Sequence, residues 1–154
     1  MECCEHGLLG ADDAEGLPIH WGDASAMVRA VELIGLRQGL GNLLAEGVAR
    51  MSAQLGPASE LFNVTVKGQE LPMHEPRLKA ALGVGYAVAP VGADHMMNMH
   101  DTAFVRDGDS IARVNQAPGD PVGPVPAHVL NEDKLKMFYR EVNWRHFQDC
   151  AVNC

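Results

Sequence analysis

Two amphipathic runs joined by a glycine-rich break constrain this chain more than any other feature, because each has one apolar stripe and the link between them is short. Asp23 is placed as an N-cap for a helix running to about Arg37. Met27, Ala30, Val31 and Ile34 follow the i, i+3, i+4, i+7 rule and predict a single core-facing stripe. Gly39 and Gly41 interrupt the chain. A second helix then carries Leu40, Leu43, Leu44, Val48 and Met51 on one face, with Glu46 and Arg50 on the other, and Gly56-Pro57 ends it. Gly47 lies within that apolar stripe, which predicts close packing against another backbone. The short linker predicts an antiparallel hairpin.

The remaining segments continue a helical pattern. Met1 to His6 reads as the last turn of a helix closed by Gly7. Residues 11–18 are polar, with turn chemistry at Gly16 and Pro18. Phe62 to Lys67 alternates and is β-branched, so an extended segment is expected there. Gly68 to Pro76 reads as loop, with a helix beginning near Pro76. Ala80 to Ala87 is small and apolar and predicts a tightly buried helix. Residues 105–126 read as a Pro/Gly-rich loop, and a final helix is expected from Glu132 to Gln148, capped by Asn131, with Leu135, Phe138, Tyr139 and Val142 buried. The expected architecture is all-α, with one short extended segment, a helical hairpin lobe over residues 1–60 and a second lobe over 61–154.

Composition narrows the functions available. The formal net charge of -8 argues against a nucleic-acid partner, which requires a basic surface. No apolar run approaches the roughly 20 residues needed to span a bilayer. Met1-Glu2-Cys3-Cys4-Glu5-His6-Gly7 lacks the basic and apolar regions of a signal peptide, so the expected location is the cytoplasm. In that reducing compartment Cys3, Cys4, Cys150 and Cys154 are free or metal-ligating thiols sooner than disulfides.

Four groups are candidates for chemistry. Asp13-x-x-Gly16-Leu17 presents a carboxylate beside a turn that glycine permits, suited to accepting hydrogen bonds from a polar heterocycle; a solvated connection is the plainer alternative. Asp149-Cys150-Ala151-Val152-Asn153-Cys154 ends in a thiol able to ligate an iron–sulfur cluster or zinc, although no C-x-x-C pair accompanies it. His95 and His100, with Asp94 and Asp101, offer acid–base groups, but a spacing of five puts the two rings on different faces of an ideal helix. Beside them Met96, Met97 and Met99 suit core packing. In His74-Glu75-Pro76-Arg77, the arginine suits an anion or a structural salt bridge. Gly83-x-Gly85 lacks the third glycine and preceding strand of a dinucleotide site.

In their order along the chain, Asp13-x-x-Gly16-Leu17, Trp21-Gly22-Asp23, Leu44-Ala45-Glu46-Gly47-Val48, Val66-Lys67-Gly68-Gln69-Glu70-Leu71-Pro72 and Gly83-Val84-Gly85-Tyr86-Ala87 resemble the aldehyde:ferredoxin oxidoreductase family of tungsten- or molybdenum-pterin enzymes. The resemblance covers nearly the whole chain and implies helical domains 2 and 3 of that fold. It implies that Asp13, Gly16 and Leu17 form a first pterin loop, and that Asp149 belongs to a second, whose final Cys154 is one ligand of a [4Fe-4S] cluster. His95 and His100 are the catalytic candidates beside a bis-pterin metal. The implied reaction oxidises an aldehyde to a carboxylic acid and passes electrons through the cluster to ferredoxin. The family's N-terminal domain and three further cluster cysteines are not in this sequence, so a missing domain or partner chain is expected, and the chain alone is expected to be inactive and prone to self-association. Val152 and Asn153 stand where the family has Gly and Leu. That change favours a second reading, a non-catalytic binding or assembly module; a third is a small zinc protein using the four cysteines.

Overall fold

The computed structural model of the chain describes residues 1–10 and 19–152. Among these residues the fold is all-α apart from one two-stranded ladder, and the chain divides into two compact units, Met1–Glu70 and a second beginning at Leu71.

The first unit opens with α1 (Glu2–Glu5), whose chain exit turns at Gly7 with φ +68°, as the sequence leads one to expect. Helix α2 (Ala24–Leu36) starts where Asp23 accepts a hydrogen bond from the Ala26 amide at 2.9 Å. It closes on Arg37, a left-handed residue at φ 51° whose amide donates to the Ile34 carbonyl. The expected second helix is broken into α3 (Leu40–Leu44) and α4 (Val48–Leu55). The break is Gly47, at φ 85° and ψ 166°, a conformation open to glycine and closed to most other residues. The close backbone approach expected at Gly47 occurs at Gly41 instead, where an added Cβ would overlap the Leu33 carbonyl group on α2. A 3₁₀ turn (Pro57–Phe62) follows, then β1 (Thr65–Val66) and β2 (Gln69–Glu70), paired antiparallel with Thr65 opposite Glu70. Lys67 and Gly68 turn the hairpin, both with positive φ.

This unit's core gathers Leu9, Ile19 and Leu40 with Leu43, Leu44, Met51, Leu55, Cys3 and Cys4. The stripe expected on α2 is displaced. Ala26 and Leu33 are buried, whereas Met27, Val28 and Val31 are 57%, 72% and 69% exposed. The cause is geometric: α3 has only five residues and covers the narrow strip around Leu33.

In the second unit, Pro76 opens a turn and the helix begins four residues later, as α5 (Ala80–Val88). A 3₁₀ turn (Asp101–Phe104) and α6 (Asp109–Val114) follow, and α6 lies in the stretch expected to be loop. Ile111 and Val114 are buried there, and the two apolar positions were too few to signal a helix. Helix α7 (Glu132–Val152) starts where Asn131 accepts from the Lys134 amide at 2.9 Å, and it runs four residues past the expected end at Gln148. Its buried face is Lys134, Met137 and Glu141, while Leu135 and Tyr139 are exposed. Ion pairing decides that orientation, because a helix cannot bury both faces and these two charges have partners waiting for them.

Those partners organise the unit. Lys134 and Asp101 are both fully buried and meet at 2.7 Å. The Asp101 carboxylate also accepts from the Ala81 and Leu82 amides, each at 3.0 Å, and so caps α5 from a distance. Lys134 donates further to the Pro126 carbonyl at 3.0 Å. Glu141 accepts from Arg113 of α6 at 3.1 Å and from Arg145 at 2.9 Å. Around these pairs pack Ala81, Met99, Phe104, Ile111, Val114, Val122, Val125 and Met137.

Breaking the buried pair should be costly. Asp101→Ala is expected to lose about 3–5 kcal/mol in urea unfolding, and Lys134→Met less, because only the first also strands two helix amides. Glycine positions give a second measurement. Gly85→Ala should destabilise by about 1–3 kcal/mol, since the new methyl would strike Asn98. Gly35→Ala, in open space on α2, should stabilise by up to about 1 kcal/mol.

Candidate functional site

Two loop segments of the second unit bring three histidines together. The first, residues 71–79, is held between Pro72 and Pro76, where Tyr86 of α5 donates its hydroxyl to the His74 carbonyl at 3.3 Å. Within it Glu75 and Arg77 form the structural salt bridge that was one of two sequence readings, with contacts of 2.9 and 2.8 Å, and this pairing holds the Glu75 carboxyl down at about 2. The second segment, residues 92–100, is not helical. Asp94 accepts from the Met96 amide at 2.8 Å, and Asn98 donates back to the Asp94 carbonyl at 2.6 Å. Gly85 leaves room for the Asn98 side chain against α5. Met99 and Asp101 are both fully buried, so His100 is fixed between two anchored neighbours. Of the three methionines, Met99 packs the core and Met96 is 66% exposed.

Because this segment is a series of turns, the helical spacing argument against convergence does not apply, and His95 and His100 meet with ring centroids 5.7 Å apart. His74 lies 4.7 Å from the first and 4.6 Å from the second. Lys79, the residue immediately before α5, places its ammonium 3.0 Å from His74 Nδ1 and 3.3 Å from His100 Nδ1. An ammonium only donates, so both Nδ1 atoms accept and both rings are neutral with the proton on Nε2. The His100 Nε2–H then donates to the His95 carbonyl at 3.1 Å. His95 touches both other rings, and among the described residues its ring nitrogens have no hydrogen-bond partner.

The electrostatics agree with this tautomer. Desolvation, and then the Lys79 charge, push His74 below the ordinary imidazole value of 6.5, with His95 adding to it. The same two causes lower His100, with smaller contributions from His74 and Arg145 and a partial offset from its bond to His95. His74 and His100 are therefore held toward the uncharged form beside the Lys79 ammonium, and the cluster can bind a polar group.

The other sequence candidates separate from this cluster. Asp13, Gly16, Leu17 and Cys154 lie outside the described residues. Asp149 is an exposed residue in the last turns of α7. Asp101 is a structural anchor rather than a reactive acid. His74 belongs to the site although its own motif gave no reason to choose it, and Lys79 carried no sequence signal at all. A loop histidine followed five residues later by a lysine at a helix start is too common a pattern to mark a site.

Among the described residues neither unit gathers the four thiolates that an iron–sulfur cluster takes. Cys3 and Cys4 pack into the first unit's apolar core and Cys150 is exposed on α7. Among the described residues no three His, Cys, Asp or Glu side chains are arranged to hold a metal. In the histidine cluster Lys79 occupies Nδ1 of His74 and of His100, and the His95 carbonyl occupies Nε2 of His100.

The lowered imidazoles set a pH dependence. Between 6.5 and the lower folded values, the unfolded chain binds more protons than the folded one, so stability rises with pH through that window. The urea midpoint is expected to fall as pH drops from 6.5 toward 5, above the ordinary carboxylate range. The His74→Gln, His100→Gln double variant should flatten that slope.

Comparison with known proteins adds an independent line. The family model described as aldehyde ferredoxin oxidoreductase, domains 2 and 3, matches residues 1–154. A tungsten-containing aldehyde ferredoxin oxidoreductase of Pyrococcus furiosus is 33% identical over 138 residues, 89% of this chain and 20% of the relative. One of the same name from Thermococcus kodakarensis is 35% identical over 99 residues, 64% of this chain and 16% of the relative. The aliphatic sulfonate oxidoreductase, WOR-like subunit, of Pyrococcus furiosus is 31% identical over 100 residues, 61% of this chain and 16% of the relative. The chain thus spans about a fifth or less of these relatives' length. No solved structure matches it.

Proposed function

The chain belongs to the aldehyde ferredoxin oxidoreductase family, and from that premise we propose that it forms the helical part of an oxidoreductase that converts aldehydes to carboxylic acids and delivers the electrons to ferredoxin. The observation that carries the proposal is the family match along all 154 residues, joined to a histidine cluster in which one ring keeps its nitrogens uncommitted.

The chemistry fits those groups. Oxidising an aldehyde with water to a carboxylic acid releases two electrons and two protons, so a base must stand near the reacting carbon. His95 is assigned that role, because its ring nitrogens have no hydrogen-bond partner among the described residues and an imidazole nitrogen can accept a proton. His100 is assigned a supporting role: its ring, fixed between Lys79 and the His95 carbonyl, holds the His95 backbone in place. The proposal takes the metal and pterin from the resemblance, with Asp13, Gly16, Leu17 and Asp149 as pterin contacts. Such a cofactor would supply the electron acceptor when bound, and by the resemblance Cys154 would be one ligand of a [4Fe-4S] cluster. The resemblance makes Cys154 the one cluster ligand in this sequence, so the other three are assigned to a further domain or a partner chain. The proposed location is the cytoplasm; no helix among the described residues is long and apolar enough to cross a membrane.

The test is to purify the assembly that contains this chain from its source cells. Short aldehydes are expected to drive reduction of ferredoxin or a viologen dye, and metal analysis is expected to find tungsten or molybdenum. Reduction driven by alkyl sulfonates and not by aldehydes would move the substrate to the other class named among the relatives. His95→Gln in that assembly should lower kcat by about 10²–10⁴-fold, the usual worth of a general base, with an unchanged unfolding midpoint.

A further inference from the structure

Lys79 is a cation without a counter-charge. Among the described residues no carboxylate lies within 4.0 Å of its ammonium. Elsewhere in the second unit Lys134 pairs with Asp101, Arg77 with Glu75, Lys136 with Glu132, and Arg113 and Arg145 with Glu141, while Arg140 donates to the Asp120 carbonyl. Lys79 instead spends two of its three N–H donors on imidazole nitrogens, which satisfy hydrogen bonds and leave the positive charge uncompensated.

The acidic groups nearby are already used. Asp94 turns its carboxylate toward the Met96 and Met97 amides, and Glu75 grips Arg77. Arg145 is close enough to act on His100, but its own charge is met by Glu141. A half-buried ammonium in this setting is stabilised by an anion brought from outside.

We infer that Lys79 is the anchor of a carboxylate-binding subsite, its third N–H directed at a small monocarboxylate that rests against the ring edges of His74, His95 and His100. This deepens the reading above and rests on it for the ligand's source, since a carboxylate is the product of aldehyde oxidation. Anion binding also couples to protonation. Neutralising Lys79 removes one of the forces that hold His74 and His100 below the ordinary imidazole value, so a bound carboxylate makes both rings easier to protonate. While product stays bound, the cluster is then primed to hold the proton released in forming it.

The experiment follows the histidine Cε1–H resonances of the 154-residue chain by NMR as sodium acetate is added, with sodium chloride at equal ionic strength as the control. Acetate is expected to shift His74 and His100 saturably and to raise the pH at which each takes up a proton, and chloride to do neither. Lys79→Gln should remove the acetate response and Lys79→Arg should retain it, with the α5 amide resonances reporting that the fold persists. An acetate response no larger than that of chloride, or one that survives Lys79→Gln, overturns the subsite. Should Lys79→Gln fail to fold, the acetate–chloride contrast in the unmodified chain and in Lys79→Arg still decides. Acetate binding in a chain whose assembly never oxidises aldehydes would leave the subsite standing and remove its assigned ligand source. Aldehyde oxidation without acetate binding would do the reverse.

Discussion

The second unit depends on one buried ion pair, Asp101 with Lys134. Each charge carries a desolvation cost of several kcal/mol, so the arrangement stands only because every remaining lone pair and proton has a partner. The carboxylate takes two helix amides besides the ammonium, and the ammonium reaches backbone carbonyls at Pro126 and Ala127. One contact therefore ties together the start of α5, the 3₁₀ turn after His100, the proline-rich connection and the first turn of α7. An apolar pair of similar volume could fill the same space, but it could not specify where α5 begins.

A similar device recurs in the first unit. Glu70, at the end of a two-residue strand, receives the amide of Val48 and so caps α4 from across a hairpin. Both α4 and α5 begin at residues with no capping side chain of their own, Gly47 and Lys79. That fact decides what the sequence could reveal. Where a cap is local, as at Asp23 and Asn131, the helix start was legible to the residue. Where the cap comes from a carboxylate some 20 positions away, it was not, and the start of α5 was read four residues early. Apolar periodicity failed for a related reason. It located α2 and α7 but misread the inner face of α2 and half of that of α7, where Phe138 does pack on the core, because a short partner helix and a pair of ionic contacts helped choose which side turned inward.

The candidate site was half legible. His95 and His100 stand out by composition, yet their convergence depends on a turn-rich path, and a helical spacing rule gives the wrong geometry for such a path. His74 joins them from a different segment, and Lys79 has no local mark at all. The family resemblance, by contrast, rested on several short segments in order, and the match to the family's domains 2 and 3 bears it out along the whole chain. Sequence order carried the relationship, while the tertiary path carried the chemistry.

His100 and Asp101 are consecutive, and this joins two systems that look separate. One holds an ammonium among imidazoles and the other an ammonium on a carboxylate, with a single peptide unit between them. The backbone that seats His100 in the ring cluster is thus the same backbone that seats the 21-residue α7 through Asp101 and Lys134.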